Sequence, residues 1–186
     1  MTQQATIISV FGSSQVAMPS PAYQEARVLG ELLAQAGLTV CSGGYGGTME
    51  AVSRGAKQAG GTVIGVTTSW FAHLKANAWV DQEVRTATFL ERLQTLIEMG
   101  QGYVALQGGI GTLTEISTVW SMLQTRSIPP RPFVVLSDPW QQLLGFCHES
   151  LIIRPSDFDC VRLASTPQEA VQALVQSLPE RSTQSQ

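Results

Sequence analysis

Short β-branched apolar runs alternate along this chain with longer amphipathic segments, and that alternation restricts the fold more than any other feature. Residues 5–11 (ATIISVF) form a compact apolar run that ends at Gly12. Residues 21–36 follow with apolar side chains at Ala22, Ala26, Leu29, Leu32, Leu33 and Ala36, the spacing of a helix with one buried face, and Gly37 supplies the stop. The cycle then repeats. Strands are expected at residues 38–41, 62–67 (TVIGVT), 102–106 (GYVAL) and 131–136, and helices at 48–59, 89–99 and 113–124. A brief strand is read at 84–86, and helices at 140–150 and 167–178 flank a last short strand near 161–163. Strands joined through helices of about ten residues or more make βαβ units, hence a parallel sheet covered on both faces. The expected architecture is α/β, a Rossmann-like three-layer fold with a mostly parallel sheet. No linker and no internal repeat interrupts it, so residues 1–179 are expected to form a single domain and the polar stretch 180–186 a frayed tail.

Charge narrows the partners. The formal net charge is −3 and the eleven Lys and Arg are scattered, so no basic field exists to hold a nucleic-acid backbone or an acidic membrane surface. Charged residues make up only 13% of the chain, against about 25% in an average domain. A polar but weakly charged surface and a self-association interface both account for that. The cysteines Cys41, Cys147 and Cys160 are odd in number and form no CxxC pair, which disfavours a disulfide framework or a zinc site. No metal site is expected. The first residues lack the pattern of a secretory leader, and no apolar window reaches the length of a membrane span. A cytoplasmic protein is the expectation.

Ligands of an open parallel sheet bind beyond the carboxyl ends of the strands. Small or glycine-rich segments follow the expected strands there: Gly12-Ser13-Ser14, then Ser42-Gly43-Gly44-Tyr45-Gly46-Gly47-Thr48, then Gly108-Gly109-Ile110-Gly111-Thr112. In the last of these a strand ends, glycines permit close backbone approach, and a helix begins near Thr112. Unpaired N–H groups and the helix dipole make such a start suited to a phosphate. A glycine-rich turn that merely packs tightly is the alternative. The loop is no Walker A sequence, since no Gly-Lys-Ser/Thr follows. Glu50 stands where the third glycine of a dinucleotide fingerprint belongs, which disfavours NAD. Glu115, three residues after Thr112, fits either a capping box closed on Thr112 or a carboxylate facing the group attached to the phosphate. Arg92, on the preceding helix, reads on sequence alone as a solvated helix residue. Glu50, Arg54, Glu98, Arg126 and His73 are weaker polar candidates, and Cys41 reads as a buried, inert thiol.

The segments IISVFGSS (7–14), SGGYGGTME (42–50), TVIGV (62–66) and LQGGIGTLTE (106–115) resemble the LOG, or "Lonely Guy", family, whose hallmark is PGGxGTxxE preceded by a glycine-rich GGGxxGxM segment. The resemblance runs in order from about residue 6 to residue 136. It implies a Rossmann-like fold, usually dimeric, and hydrolysis of the N-glycosidic bond of nucleoside 5′-monophosphates to free base and ribose 5-phosphate, with no cofactor. Carried over by position, Glu115 and Arg92 would be the catalytic pair. Gly108, Gly109, Gly111 and Thr112 would contact the phosphate, with Gly12, Ser13, Gly43, Gly44 and Gly47 lining the remainder. The base would be held by the irregular stretch 69–81 or by a partner subunit. The chain departs from the pattern at Gln107 (for proline), Leu93 (for lysine), and Ser42 and Glu50 (for glycines). That variant resembles a branch of the superfamily that includes proteins proposed to bind and carry molybdenum cofactor. The second function the resemblance implies is therefore non-catalytic binding of a phosphorylated ligand, molybdenum cofactor or a nucleotide. Lysine decarboxylase, an older label in the family, finds no Schiff-base motif around Lys57 or Lys75.

Overall fold

The computed structural model describes residues 5–71 and 73–179; the expected tail at 180–186 lies outside them. The strands are β1 (Ile7–Phe11), β2 (Thr39–Ser42), β3 (Val63–Thr68), β4 (Gln82–Thr86), β5 (Gly102–Ala105), β6 (Phe133–Leu136) and β7 (Arg162–Ala164). They form one sheet in the order β4-β3-β2-β1-β5-β6-β7, and every pairing is parallel. The helices are α1 (Pro21–Gln35), α2 (Thr48–Gln58), α3 (Phe89–Met99), α4 (Ile110–Gln124), α5 (Asp138–Ser150) and α6 (Pro167–Ser177).

The strands are apolar on both faces because both faces are covered. Ile8, Val10, Val40 and Val104 pack beneath α1, α2 and α6 through Leu29, Leu33, Val52 and Leu174. Phe11, Cys41, Val66, Tyr103 and Val135 pack against α3, α4 and α5 through Leu96, Ile97, Val119 and Leu144. Each fully buried Leu, Val or Phe contributes about 1.5–3 kcal/mol. On the first face α1 and α2 lie backbone to backbone, since a Cβ at Gly30 would overlap the Val52 carbonyl and one at Gly55 the Arg27 carbonyl. Ser20 starts α1, its hydroxyl accepting from the Tyr23 N–H at 3.2 Å, with Pro21 in the first turn.

The topology creates one switch point. From β1 the chain moves outward through β2, β3 and β4, then crosses back to place β5 on the other side of β1. The segments after β1 and β5 therefore diverge, leaving a crevice between them. Where elements differ from the sequence expectation, local chemistry explains it. β4 runs from Gln82 rather than residue 84, because an edge strand needs no apolar face and Gln82, Glu83 and Arg85 stay exposed. α5 begins at Asp138, with Pro139 accommodated in its first turn. Pro155–Cys160 forms a 3-10 turn that carries no apolar period. α4 begins at Ile110, ahead of the expected residue 113.

Candidate functional site

The early start of α4 shapes the site. Its N-cap is Gly109, which has no side chain to cap with, and the first closing bond runs from the Leu113 N–H to the Gly109 carbonyl at 2.9 Å. The N–H groups of Ile110, Gly111 and Thr112 occupy the first turn, where helix geometry supplies no carbonyl for them. Thr112 is thus inside the helix rather than its cap, so the expected capping box does not form, and Glu115 sits in the second turn. Thr112 is folded against Gly108, where a Cβ would overlap its Oγ1, and that buried hydroxyl has no hydrogen-bond partner. No Cβ neighbour stands within 4 Å of Gly109 or Gly111, so the helix start faces open space.

A cavity of about 400 Å³ opens at that helix start, in the crevice of the switch point. Gly12, Ser13, Gly109, Gly111, Thr112, Arg92 and Glu115 all line it. Gly43, Gly44, Gly47 and Gly108 are not on its wall; they stand behind it and set its shape. Gly47, at φ +65, rests on the Ser13 carbonyl, and Gly44, at φ +74, rests on Gly65 of β3. Thr48 joins the segment after β1 to α2: its Oγ1 accepts from the Ser13 N–H at 2.9 Å and its N–H donates to the Ser13 carbonyl at 2.9 Å.

Arg92 is buried rather than solvated, at 7% exposure, and Glu115 is buried at 8%. Thr88 caps α3 through its hydroxyl, which accepts from the Glu91 N–H at 3.1 Å, and the apolar face of Leu93, Leu96 and Ile97 turns Arg92 inward with it. The Arg92 Nε–H donates to the Val66 carbonyl at 2.8 Å, and Nη1 stops 4.0 Å from Glu115 Oε1. That gap exceeds a hydrogen bond, so charge attraction offsets only part of the desolvation. Burial pushes the Glu115 carboxyl up to about 7, with the Arg92 guanidinium pulling against that rise. The result is a carboxyl that changes state near neutrality, beside a cation and a helix start whose first N–H groups have no helical acceptor.

The remaining wall was not legible as a motif. Tyr45, Met49, Phe71, Leu74, Phe89 and His73 complete the wall of the cavity. Tyr45 and Met49 lie in the SGGYGGTME segment, whereas Phe71, His73, Leu74 and Phe89 share no motif, and of these His73 is the weaker polar candidate. The other weaker candidates lie elsewhere. Arg54 covers the Trp79 ring at 5.7 Å, Glu98 accepts from Gln94 at 2.7 Å on the surface, and Arg126 follows α4 with φ +57. Burial pushes the Cys41 thiol up to about 12, a state unsuited to nucleophilic work. A second hollow, about 370 Å³, lies at the amino ends of β6 and β7, where Arg131 donates to the carbonyls ending α3. Arg131 there is spent on the end of α3, and the hollow lies away from the carboxyl ends of the strands, where ligands of such sheets bind. Among the described residues no group of three or more His, Cys, Asp or Glu is placed to hold a metal, and no helix is long and apolar enough to cross a membrane.

Comparison with known proteins places this geometry. The model of the SLOG cluster4 family matches residues 5–128. A Mycobacterium marinum protein named cytokinin riboside 5′-monophosphate phosphoribohydrolase is 34% identical over 126 residues, and the match spans 64% of either chain, a little under two thirds of that relative. The Mycobacterium tuberculosis protein of the same name is 31% identical over 134 residues, 68% of this chain and 70% of the relative. Among solved structures, the molybdenum cofactor binding protein from Rippkaea orientalis superposes with a TM-score of 0.77 at 25% identity, covering 94% of this chain and 98% of that one. The molybdenum cofactor carrier protein of Chlamydomonas reinhardtii superposes with a TM-score of 0.73 at 24% identity, over 93% and 98% of the two chains, a likeness of fold alone.

Proposed function

The chain belongs to the SLOG cluster4 family, the LOG-type family its loops resemble, and from that premise we propose that it is a phosphoribohydrolase of nucleoside 5′-monophosphates. The observation that carries the reading is the convergence of Glu115, Arg92 and the open start of α4 on one cavity. The 5′-phosphate sits at the first turn of α4, where unpaired N–H groups and the helix dipole favour an anion and a ligand oxygen can meet the orphaned Thr112 hydroxyl. Fixing the phosphate there fixes the ribose beside Glu115. As the bond from C1′ to the base nitrogen breaks, positive charge grows on the sugar. The Glu115 carboxylate stabilises that charge and orients the water that attacks C1′. The water's oxygen joins C1′ and a proton reaches the departing nitrogen, giving free base and ribose 5-phosphate. Arg92 supplies a positive charge that favours the ionised form of Glu115 against burial and reaches the nucleotide's anionic end. The reaction as written requires no cofactor, and the working assembly we propose is a homodimer.

A panel of nucleoside monophosphates incubated with the protein is expected to yield free base, read by chromatography. Glu115→Gln is expected to lower the rate by at least about a hundredfold while nucleotide binding persists. No base from any member of the panel would remove the enzyme reading.

A second reading is favoured by two observations: the similarity to a molybdenum cofactor binding protein along nearly its whole length, and Leu93, buried in the core at 8% exposure. In that reading the same helix start holds the phosphate of molybdenum cofactor as cargo, with no bond broken. Mass spectrometry of the purified protein showing a retained pterin phosphate, and thermal stabilisation by that ligand but not by AMP, would favour it.

A further inference from the structure

We propose that Tyr45 is the positioning residue for the Arg92 guanidinium, its ring setting where that cation stands relative to Glu115. The proposal rests on the site reading given above and adds to it a residue from the loop after β2 that lines the same cavity.

Arg92 is gripped from several segments of the chain. Its Nε–H is spent on the Val66 carbonyl at 2.8 Å, which fixes the side chain along β3. Its Nη2 lies against the Cα of Gly43, where a Cβ would overlap it, so the loop after β2 forms a floor with no side chain. The Tyr45 ring covers the guanidinium with its centroid 5.5 Å from Cζ, within the range of a cation–π contact. Such a contact is strongest where water is excluded, and Tyr45 is only 4% exposed.

The ring is itself immobilised. Its hydroxyl accepts from the Thr68 N–H at 3.0 Å and donates back to the Thr68 carbonyl at 3.4 Å, tying the loop after β2 to the end of β3. Phe71 meets it edge-on with centroids 6.0 Å apart. The backbone on either side is held by Asn77, whose side-chain amide donates to the Gly44 and Tyr45 carbonyls at 3.1 and 3.0 Å. So Tyr45 cannot slide, and a guanidinium pinned at Nε is left one freedom, rotation of its Nη groups toward or away from Glu115. The ring face bounds the guanidinium at a centroid distance of 5.5 Å, while its Nη1 stands 4.0 Å from Glu115 Oε1.

The test uses the intact protein with Tyr45→Phe and, at the same position, a series of progressively fluorinated phenylalanines. Those rings keep the shape and lose the negative face that attracts a cation. Tyr45→Phe is expected to keep most of the activity. Across the fluorinated series kcat should fall stepwise, to about a tenth of the Tyr45→Phe value, with KM within about threefold, because geometry at the reacting centre is lost rather than binding. In parallel the Glu115 carboxyl, followed by carbon NMR, should titrate higher by about half a unit or more as its facing cation drifts away. His73 lines the same cavity, so its imidazole is followed in the same spectra to separate the two titrations. A purely structural role for Tyr45 would lower the melting temperature and leave both kcat and the Glu115 titration level along the series, overturning the proposal. A loss already complete in Tyr45→Phe would assign the effect to the Thr68 hydrogen bonds and overturn it equally. If the wild-type protein releases no base at all, the enzyme reading falls, while the Glu115 titration still decides the role of Tyr45.

Discussion

Glu115 concentrates the physical tension of the site in one side chain. Burial raises its pKa from 4.5 to about 7, more than the Arg92 charge lowers it. A raised folded-state pKa means that the native protein holds the proton more tightly than the unfolded chain does. Stability is therefore greatest below about pH 4.5 as far as this group is concerned, and is lost as pH rises toward 7. The full loss is roughly 3 kcal/mol on the scale of about 1.4 kcal/mol per unit. Glu115→Gln, which cannot ionise, should escape it. Urea denaturation is expected to find the variant more stable than wild type at pH 8.5 and nearly equal at pH 4; equal stability at both would refute a buried, charge-penalised acid. Catalysis runs the other way. In the proposed reaction the ionised form does the work, so kcat/KM should rise with pH along a limb centred near 7, and the protein is more active where this acid makes it less stable. Much of this was beyond the sequence. Glu115 stood out by its spacing from the glycines, but its burial depended on α4 starting early. Arg92 reads from the sequence as a solvated helix residue and is instead buried, because only the apposition of Gly43 and Tyr45 reveals the slot it fills.

Among elements, the glycines divide into those that build the crevice and those that leave it open, a distinction no motif spells out. Gly47 has a left-handed backbone and a carbonyl where its Cβ would be. Gly47→Ala is expected to cost about 2 kcal/mol or more and to lower the melting temperature sharply. Gly111 is helical, exposed and without a neighbour within 4 Å. Gly111→Ala should therefore stabilise the fold by about 0.5–1 kcal/mol through helix propensity. Its new methyl group would project where a phosphate approaches the first turn of α4, so nucleotide affinity should drop about tenfold or more. A thermal melt and a titration on the same sample check both signs, and an unchanged affinity would remove the phosphate from that turn. The alternating pattern had located nearly every element, since burial on both faces of a parallel sheet leaves apolar strands that are easy to find. It failed where burial stops deciding: at polar edge strand β4, at the 3-10 turn Pro155–Cys160, and at the start of α4, where a glycine cap leaves no side-chain signal.

For the whole molecule, the low charge content left two accounts open, and the surface bears on them. Association through the β4 edge is disfavoured by the exposed Gln82, Glu83 and Arg85 that guard it. The end of α5 is different. Phe146 is 60% exposed, Leu151 52%, and Ile152 fully so, and Leu151 and Ile152 line a shallow groove with Trp120 of α4. Large apolar groups gathered in this way on a sparsely charged chain are what a self-complementary interface requires. The proposed homodimer accordingly buries this face. Such a dimer would place α4, whose first turn is the proposed phosphate site, next to the contact, so that assembly and ligand binding would share an element. Sedimentation should find the wild-type protein at twice its 20.0 kDa chain mass. Leu151→Glu combined with Ile152→Glu should return it to a single chain with its circular dichroism unchanged, because both side chains are already in water and their replacement costs the fold within about 0.5 kcal/mol each. A dimer that survives both charges would move the interface elsewhere. A wild-type protein that sediments as one chain would instead assign the low charge to a neutral, hydroxyl- and amide-rich surface.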